Sequence, residues 1–193
     1  MKNTEKEKRI AKKRSIFIAA EGESDANCVA WFNMLLREQE LHIYLNCQPL
    51  HGGGYQTMLN EAKRSPKYKQ RNKKNPSILL VDTDRADRQE DLWNIEQLRA
   101  KAKNKASLTL FTFSPNLEGL LLRLHLGKEK LIPDASTVKN LLKKVWPEYY
   151  DKVKPASAAT LNERFSFDSL KKVASVDADL KRFLELVGFN LTE

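Results

Sequence analysis

Two short apolar runs, each closed by carboxylates, constrain this chain more than any other feature. Ser15-Ile16-Phe17-Ile18-Ala19-Ala20 leads into Glu21-Gly22-Glu23-Ser24-Asp25, and Ile78-Leu79-Leu80-Val81 leads into Asp82-Thr83-Asp84. Short runs that are apolar at consecutive positions read as strands buried on both faces, the habit of parallel sheets. Ligands of open α/β sheets sit outside the carboxyl ends of the strands. Acids sixty-one residues apart, Glu21 and Asp82, are therefore expected to meet at one edge of the sheet. A carboxylate cluster there suits Mg²⁺ (or Mn²⁺), which takes oxygen ligands.

The rest of the chain fits an α/β frame. Val29, Phe32 and Leu36 give a helix from about 24 to 38 a buried face, with Ser24 as its expected cap. A strand is expected over 42–50, then the turn Gly52-Gly53-Gly54 and a short helix over 55–64. A helix around 90–103 precedes a strand over 107–113, and Ser114 and Pro115 read as the cap and first residue of the next helix. Alternation on this scale predicts a parallel sheet covered on both faces. Beyond about residue 130 strand signals stop. Three helices are expected there, one opening at Asp134 or Ser136, one over 167–173, and one opening at Asp177 and stopped by Gly188. The expected organisation is a basic flexible arm over 1–14, an α/β domain over 15–130, and a helical extension over 131–193 packed on that domain.

Glu-Gly after a first strand and Asp-x-Asp after a later one resemble the Toprim domain of primases, topoisomerases and several nucleases, with Glu21, Gly22, Asp82 and Asp84 in the matching places. A closer resemblance is to the RloB-like proteins, small Toprim-type proteins of bacterial defence loci. The glycine turn at 52–54, the segment Ser114-Pro115-Asn116-Leu117-Glu118 and the leucine-rich helix ending near His125 carry it. His125 stands seven residues after Glu118, one more than the family spacing. The resemblance spans about 15–130. It implies a Toprim-like, mainly parallel sheet flanked by helices. It also implies metal held by Glu21, Asp82 and Asp84 with Asp25 as a further ligand, a functional Glu118, and a partner ATPase in anti-phage defence.

Each candidate has a plainer reading. Asp82 and Asp84 are equally at home in a turn. Residues two apart on a strand project to one side, so the pair can also share one cation that relieves its repulsion. Asp25 and Glu118 fall in first turns of helices, where a carboxylate complements the dipole. Arg85, beside the acids, is either a phosphate contact or a surface ion-pair former. His125 reads as a partly exposed helix histidine. Cys28 and Cys47 have no zinc or disulfide spacing and read as small buried residues, in keeping with a reducing cytoplasm. No run approaches the ~20 apolar residues of a membrane helix.

The net charge is +9, which favours an anionic partner, most often nucleic acid. Lys63, Arg64, Lys67, Lys69, Arg71, Lys73 and Lys74 form a loop without an acid, and the first fourteen residues carry seven Lys or Arg. Two functions are compatible with these features. One is a Mg²⁺-dependent nuclease that cleaves DNA or RNA at Glu21, Asp82, Asp84 and Glu118. The other is a non-catalytic module that binds nucleic acid or a protein partner through its basic segments and carries a vestigial or structural metal site. A topoisomerase or primase needs domains for which the chain has no room.

Overall fold

The computed structural model describes residues 14–84, 93–125, 127–131, 134–151 and 155–191. Its centre is a four-stranded, all-parallel sheet in the order β2-β1-β3-β4. The strands are β1 (Arg14–Ala20), β2 (Ile43–Pro49), β3 (Ser77–Asp82) and β4 (Thr109–Phe113). Between them lie α1 (Glu23–Glu38), α2 (Tyr55–Arg64), α3 (Pro66–Lys69) and α4 (Ile95–Ala106). After β4 come α5 (Leu117–Arg123), α6 (Ala135–Val145), α7 (Glu148–Asp151), α8 (Ala158–Arg164), α9 (Phe167–Ala174) and α10 (Ala178–Val187). The chain is α/β, with helices on both faces of the sheet and further helices C-terminal to it.

Alternation along the strands builds two cores. Ile16, Ile18, Leu45, Ile78, Leu80, Phe111 and Phe113 face α1, α5 and the C-terminal helices in one continuous apolar cluster. Phe17, Ala19, Leu79, Val81 and Leu110 face α2 and α4 in the other. The connection from β1 to β2 steps one way and uses the first face. Those from β2 to β3 and from β3 to β4 step the other way and use the second. Crossovers of one hand require that change of face when the direction reverses. The reversal separates the chain segments leaving β1 and β3, and a crevice opens at their carboxyl ends.

Local chemistry sets the helix ends, and several expectations shift. Helix α1 is capped at Gly22 rather than at Ser24, with the Gly22 amide donating to Asp25 Oδ2 at 3.0 Å. The helix expected over 90–103 runs from Ile95, capped by the Asn94 side chain on the Gln97 amide. It continues to Ala106, so β4 begins two residues later than expected. Asn116, not Ser114, caps α5, accepting from the Gly119 amide. Asp134 caps α6 and Asp177 caps α10. Gly188 ends α10 at φ +106°, where a Cβ would meet Ile43 Cδ1 at 2.2 Å. Among the described residues five helices follow α5 where three were expected; α7 and α8 are too short to show a periodic apolar face. The basic segment is not a loop throughout. Lys63 and Arg64 close α2, and Lys67 and Lys69 lie in α3, which Ser65 caps. The arm over 1–13 and Arg85 lie outside the described residues; Arg14 is the first residue of β1. No helix among the described residues is long and apolar enough to cross a membrane.

The outer edge of β2 is held by one side chain of α1. The Asn33 amide donates to the Leu45 carbonyl at 2.9 Å and accepts from the Leu45 amide at 2.8 Å. Asn33→Ala leaves both backbone groups unpaired in a buried place. At about 1–3 kcal/mol for each such group, the variant is expected to lose about 2–4 kcal/mol in urea unfolding. Retention of wild-type stability would mean that water replaces the amide there.

Candidate metal site

The carboxylates converge where the winding reverses. Glu21 follows β1, Asp25 lies in the first turn of α1, Asp82 ends β3, and Glu118 lies in the first turn of α5. All four line one cavity of about 430 Å³, together with a fifth acid, the exposed Glu23, and with Gly22, Ser24, Leu50, His51, Gly52 and Leu117. Glu21 and Asp25 are 7% and 6% exposed. The Asp82 amide donates to Glu21 Oε2 at 3.2 Å, which ties the two strand ends together. Tyr55, the first residue of α2, donates its hydroxyl to the Asp82 carbonyl at 3.0 Å. Tyr149 of α7 donates to Glu118 Oε1 at 3.2 Å, so a C-terminal helix reaches the site.

Asp84 is placed differently from the expectation. Strand β3 ends at Asp82, so the side-chain alternation that would align Asp82 with Asp84 stops there. The Asp84 amide donates to the Pro115 carbonyl at 2.8 Å, and Asp84 Oδ2 accepts from Asn116 Nδ2 at 3.1 Å. Asp84 thus pins the 114–116 turn and is absent from the cavity lining, although its charge is felt by Asp82. The turn packs closely on α5: a Cβ on Gly119 would stand 2.7 Å from Pro115 Cδ and 3.0 Å from the Ser114 carbonyl oxygen. Gly22 has extended backbone that any residue adopts. Its contribution is the amide on Asp25.

Burial and mutual repulsion make the group electrostatically strained. Asp25 titrates at about 7, raised first by burial and then by Glu21, against the pull of the Gly22 amide. Asp82 is raised to about 10, by burial, then by Asp25, Glu21 and Asp84. Asp25 Oδ1 and Asp82 Oδ1 are both buried without a hydrogen-bond partner among the described residues. Buried polar atoms rarely stay unpaired in folded proteins. A hard cation fits this donor set, which is all oxygen and carries two unsatisfied buried atoms. The geometry is not that of a ready-made chelate, since no three His, Cys, Asp or Glu side chains among the described residues form a group that could hold an ion.

The remaining candidates lie away from the cavity. His125 follows α5, half-buried and edge-on to Phe165 with ring centres 5.2 Å apart; burial, then Arg164, lowers its pKa. Burial raises both thiols, Cys47 to about 12, as expected of inert cysteines. Asn75 donates to the Ser15 carbonyl at the amino end of β1. The stretch from Arg71 to Lys74 therefore lies toward the end of the sheet opposite the carboxylates. Arg71 lies over the Tyr68 ring, 3.5 Å from its centre. Sequence reasoning missed Tyr55, Tyr149 and His51, because lone polar aromatics carry no spacing signal. A larger cavity of about 580 Å³, lined by residues 127–131, Lys172, Ser175 and Val176, shares no residue with the carboxylate site.

The chain matches no protein-family model, no curated protein and no solved structure.

The raised pKa values set the sign of a pH effect. The folded chain holds protons on Asp25 and Asp82 where the unfolded chain, with ordinary carboxylates near 3.8, has lost them. Their stabilising contribution is complete below about pH 4 and is lost as pH rises through about 7 and then 10. In metal-free buffer, thermal unfolding is expected at a lower temperature at pH 9 than at pH 6. Asp82→Asn is expected to flatten that slope and to raise the Tm at pH 8. Parallel pH profiles for the two proteins would remove Asp82 from the strained group.

Proposed function

We propose that this chain is a metal-dependent nuclease that hydrolyses phosphodiesters of DNA or RNA at the cavity between β1 and β3. The observation that carries the proposal is the pair of buried oxygens on Asp25 and Asp82, without a hydrogen-bond partner among the described residues, in one acidic cavity at the switch point. Glu21, Asp25, Asp82 and Glu118 would hold Mg²⁺ or Mn²⁺. When bound there, such a cation polarises a phosphoryl oxygen and makes water a stronger nucleophile.

The chain's own residues supply the rest. Leu50 and Leu117 in the lining exclude water from part of the cavity, which strengthens the field of the acids. Glu21, oriented by the Asp82 amide, is the candidate acceptor for a proton released during attack. Tyr149 holds Glu118 through Oε1. Asp84 acts at one remove, through the turn that carries α5. The net positive charge of the chain offsets the local acidity and attracts a phosphate backbone. With the RloB-like resemblance, the biological setting proposed is anti-phage defence beside a partner ATPase.

The test joins calorimetry with cleavage of single- and double-stranded DNA and RNA. Asp82→Asn and Asp25→Asn are expected to weaken Mn²⁺ binding and to abolish cleavage while the chain stays folded. Glu21→Gln is expected to lower cleavage about 100-fold or more, the scale of a missing proton-transfer group, with a smaller effect on Mn²⁺ affinity. Glu118→Gln is expected to cost part of the activity. Mn²⁺ affinity unchanged in both Asp variants would refute the site. Metal binding without cleavage of any substrate would favour the non-catalytic binding module.

A further inference from the structure

Strand β2 is an edge strand, and its α2-side face is partly accessible. The residues that alternate onto that face are Tyr44, Asn46 and Gln48. Tyr44 is 45% exposed, and the other two are half-buried. They form a ledge about 13 Å long at the usual strand rise. The carboxyl end of the ledge opens into a cavity of about 260 Å³, which Gln48, Pro49, Leu50, His51, Glu61 and Arg64 help to line. Leu50 and His51 also line the carboxylate cavity. The ledge thus meets the smaller cavity at Gln48, and that cavity adjoins the acidic site across Leu50 and His51.

Cations flank this path. Arg64 is exposed at the end of α2. Lys67 of α3 reaches the Cys47 carbonyl, so its ammonium group lies against the edge strand. The acid in the lining of the smaller cavity, Glu61, is engaged by the His51 amide at 3.1 Å. An exposed aromatic ring, side-chain amides and a cationic rim on a surface one strand wide match the chemistry of single-stranded nucleic acid. Bases stack on the ring and phosphates meet the cations. A duplex offers the phosphates but keeps its base faces stacked inside.

We infer that the Tyr44-Asn46-Gln48 ledge, rimmed by Arg64 and Lys67, is a track that guides single-stranded nucleic acid into the carboxylate cavity. The inference rests on the nuclease reading for its destination and stands on binding alone for its test. It separates the basic segment into two parts: Arg64 and Lys67 serve the track, whereas Arg71 to Lys74 lie toward the far end of the sheet.

The experiment measures binding of a fluorescein-labelled twenty-nucleotide oligo(dT), its RNA counterpart and a matched duplex, by anisotropy across a salt series in Ca²⁺. The full chain is expected to prefer both single strands to the duplex. Tyr44→Ala is expected to weaken single-strand binding about fivefold or more, the scale of one base stack, and Tyr44→Phe to restore it. The pair Arg64→Gln and Lys67→Gln is expected to lower the slope of log K against log salt by about 0.7 for each phosphate no longer neutralised. Lys143→Gln with Lys144→Gln, an equal change of charge on α6, is expected to leave affinity and slope near wild type. No binding, equal or tighter binding of the duplex, or wild-type affinity in Tyr44→Ala would overturn the track. So would equal losses in the α6 control. Binding as expected without cleavage removes the nuclease and keeps the track. Cleavage abolished in Asp82→Asn with unchanged binding in the ledge variants removes the track and keeps the nuclease.

Discussion

The reversal of winding between β1 and β3 is the constraint on which the site depends. Parallel strands need crossovers of one hand, and a chain that steps first to β2 and then back across β1 to β3 must change faces. Side chains leaving the two central strands are then uncovered by helix backbone and turn toward each other. Glu21 and Asp82 meet for that reason, although sixty-one residues separate them. The same reversal explains why α1 can place Asp25, and α5 can place Glu118, around one cavity. Both helices lie on the first face, and each begins just past a strand end.

Holding these acids together is costly, and the surroundings are arranged to bear that cost in backbone geometry rather than by counter-charge. Asp25 receives the Gly22 amide, Glu21 receives the Asp82 amide, and Glu118 receives the Tyr149 hydroxyl. Each donor fixes a direction while leaving the negative field in place. Among the described residues no Arg or Lys lines the cavity. An acidic pocket that no described Arg or Lys lines, in a chain of net charge +9, is the electrostatic basis of the proposed metal site.

Much of the frame was legible in the chain. Buried strands read as apolar runs, and the short helix α2 fell on the expected 55–64 because a glycine turn precedes it and Ser65-Pro66 follows. Asp177 and Gly188 marked the two ends of α10 through cap chemistry. The site was legible as an address, the strand ends, rather than as geometry. Whether Asp84 shares a cation with Asp82 depends on where pairing of β3 with β4 stops, one residue deciding which way a side chain points. The rank of Asp25 depends on burial by surrounding helices, which no local pattern encodes. The choice of Gly22 over Ser24 as cap, and of Asn116 over Ser114, turns on two residues of helix length, finer than propensity resolves. The basic segment was read as a loop because its charge hid a Ser-Pro cap and a helical turn.

Both margins of the sheet are occupied by the chain's own side chains. Asn33 and Lys67 take up backbone groups of β2, and Arg99 takes the Leu110 carbonyl of β4 at 3.3 Å. An open margin is a template on which a second chain can add a strand and begin to aggregate. Here the groups that such a strand needs are already partly spent. A further strand would first have to displace an internal amide, an ammonium or a guanidinium. Growth by strand addition is thereby discouraged, and a visiting chain meets side chains before it meets main chain.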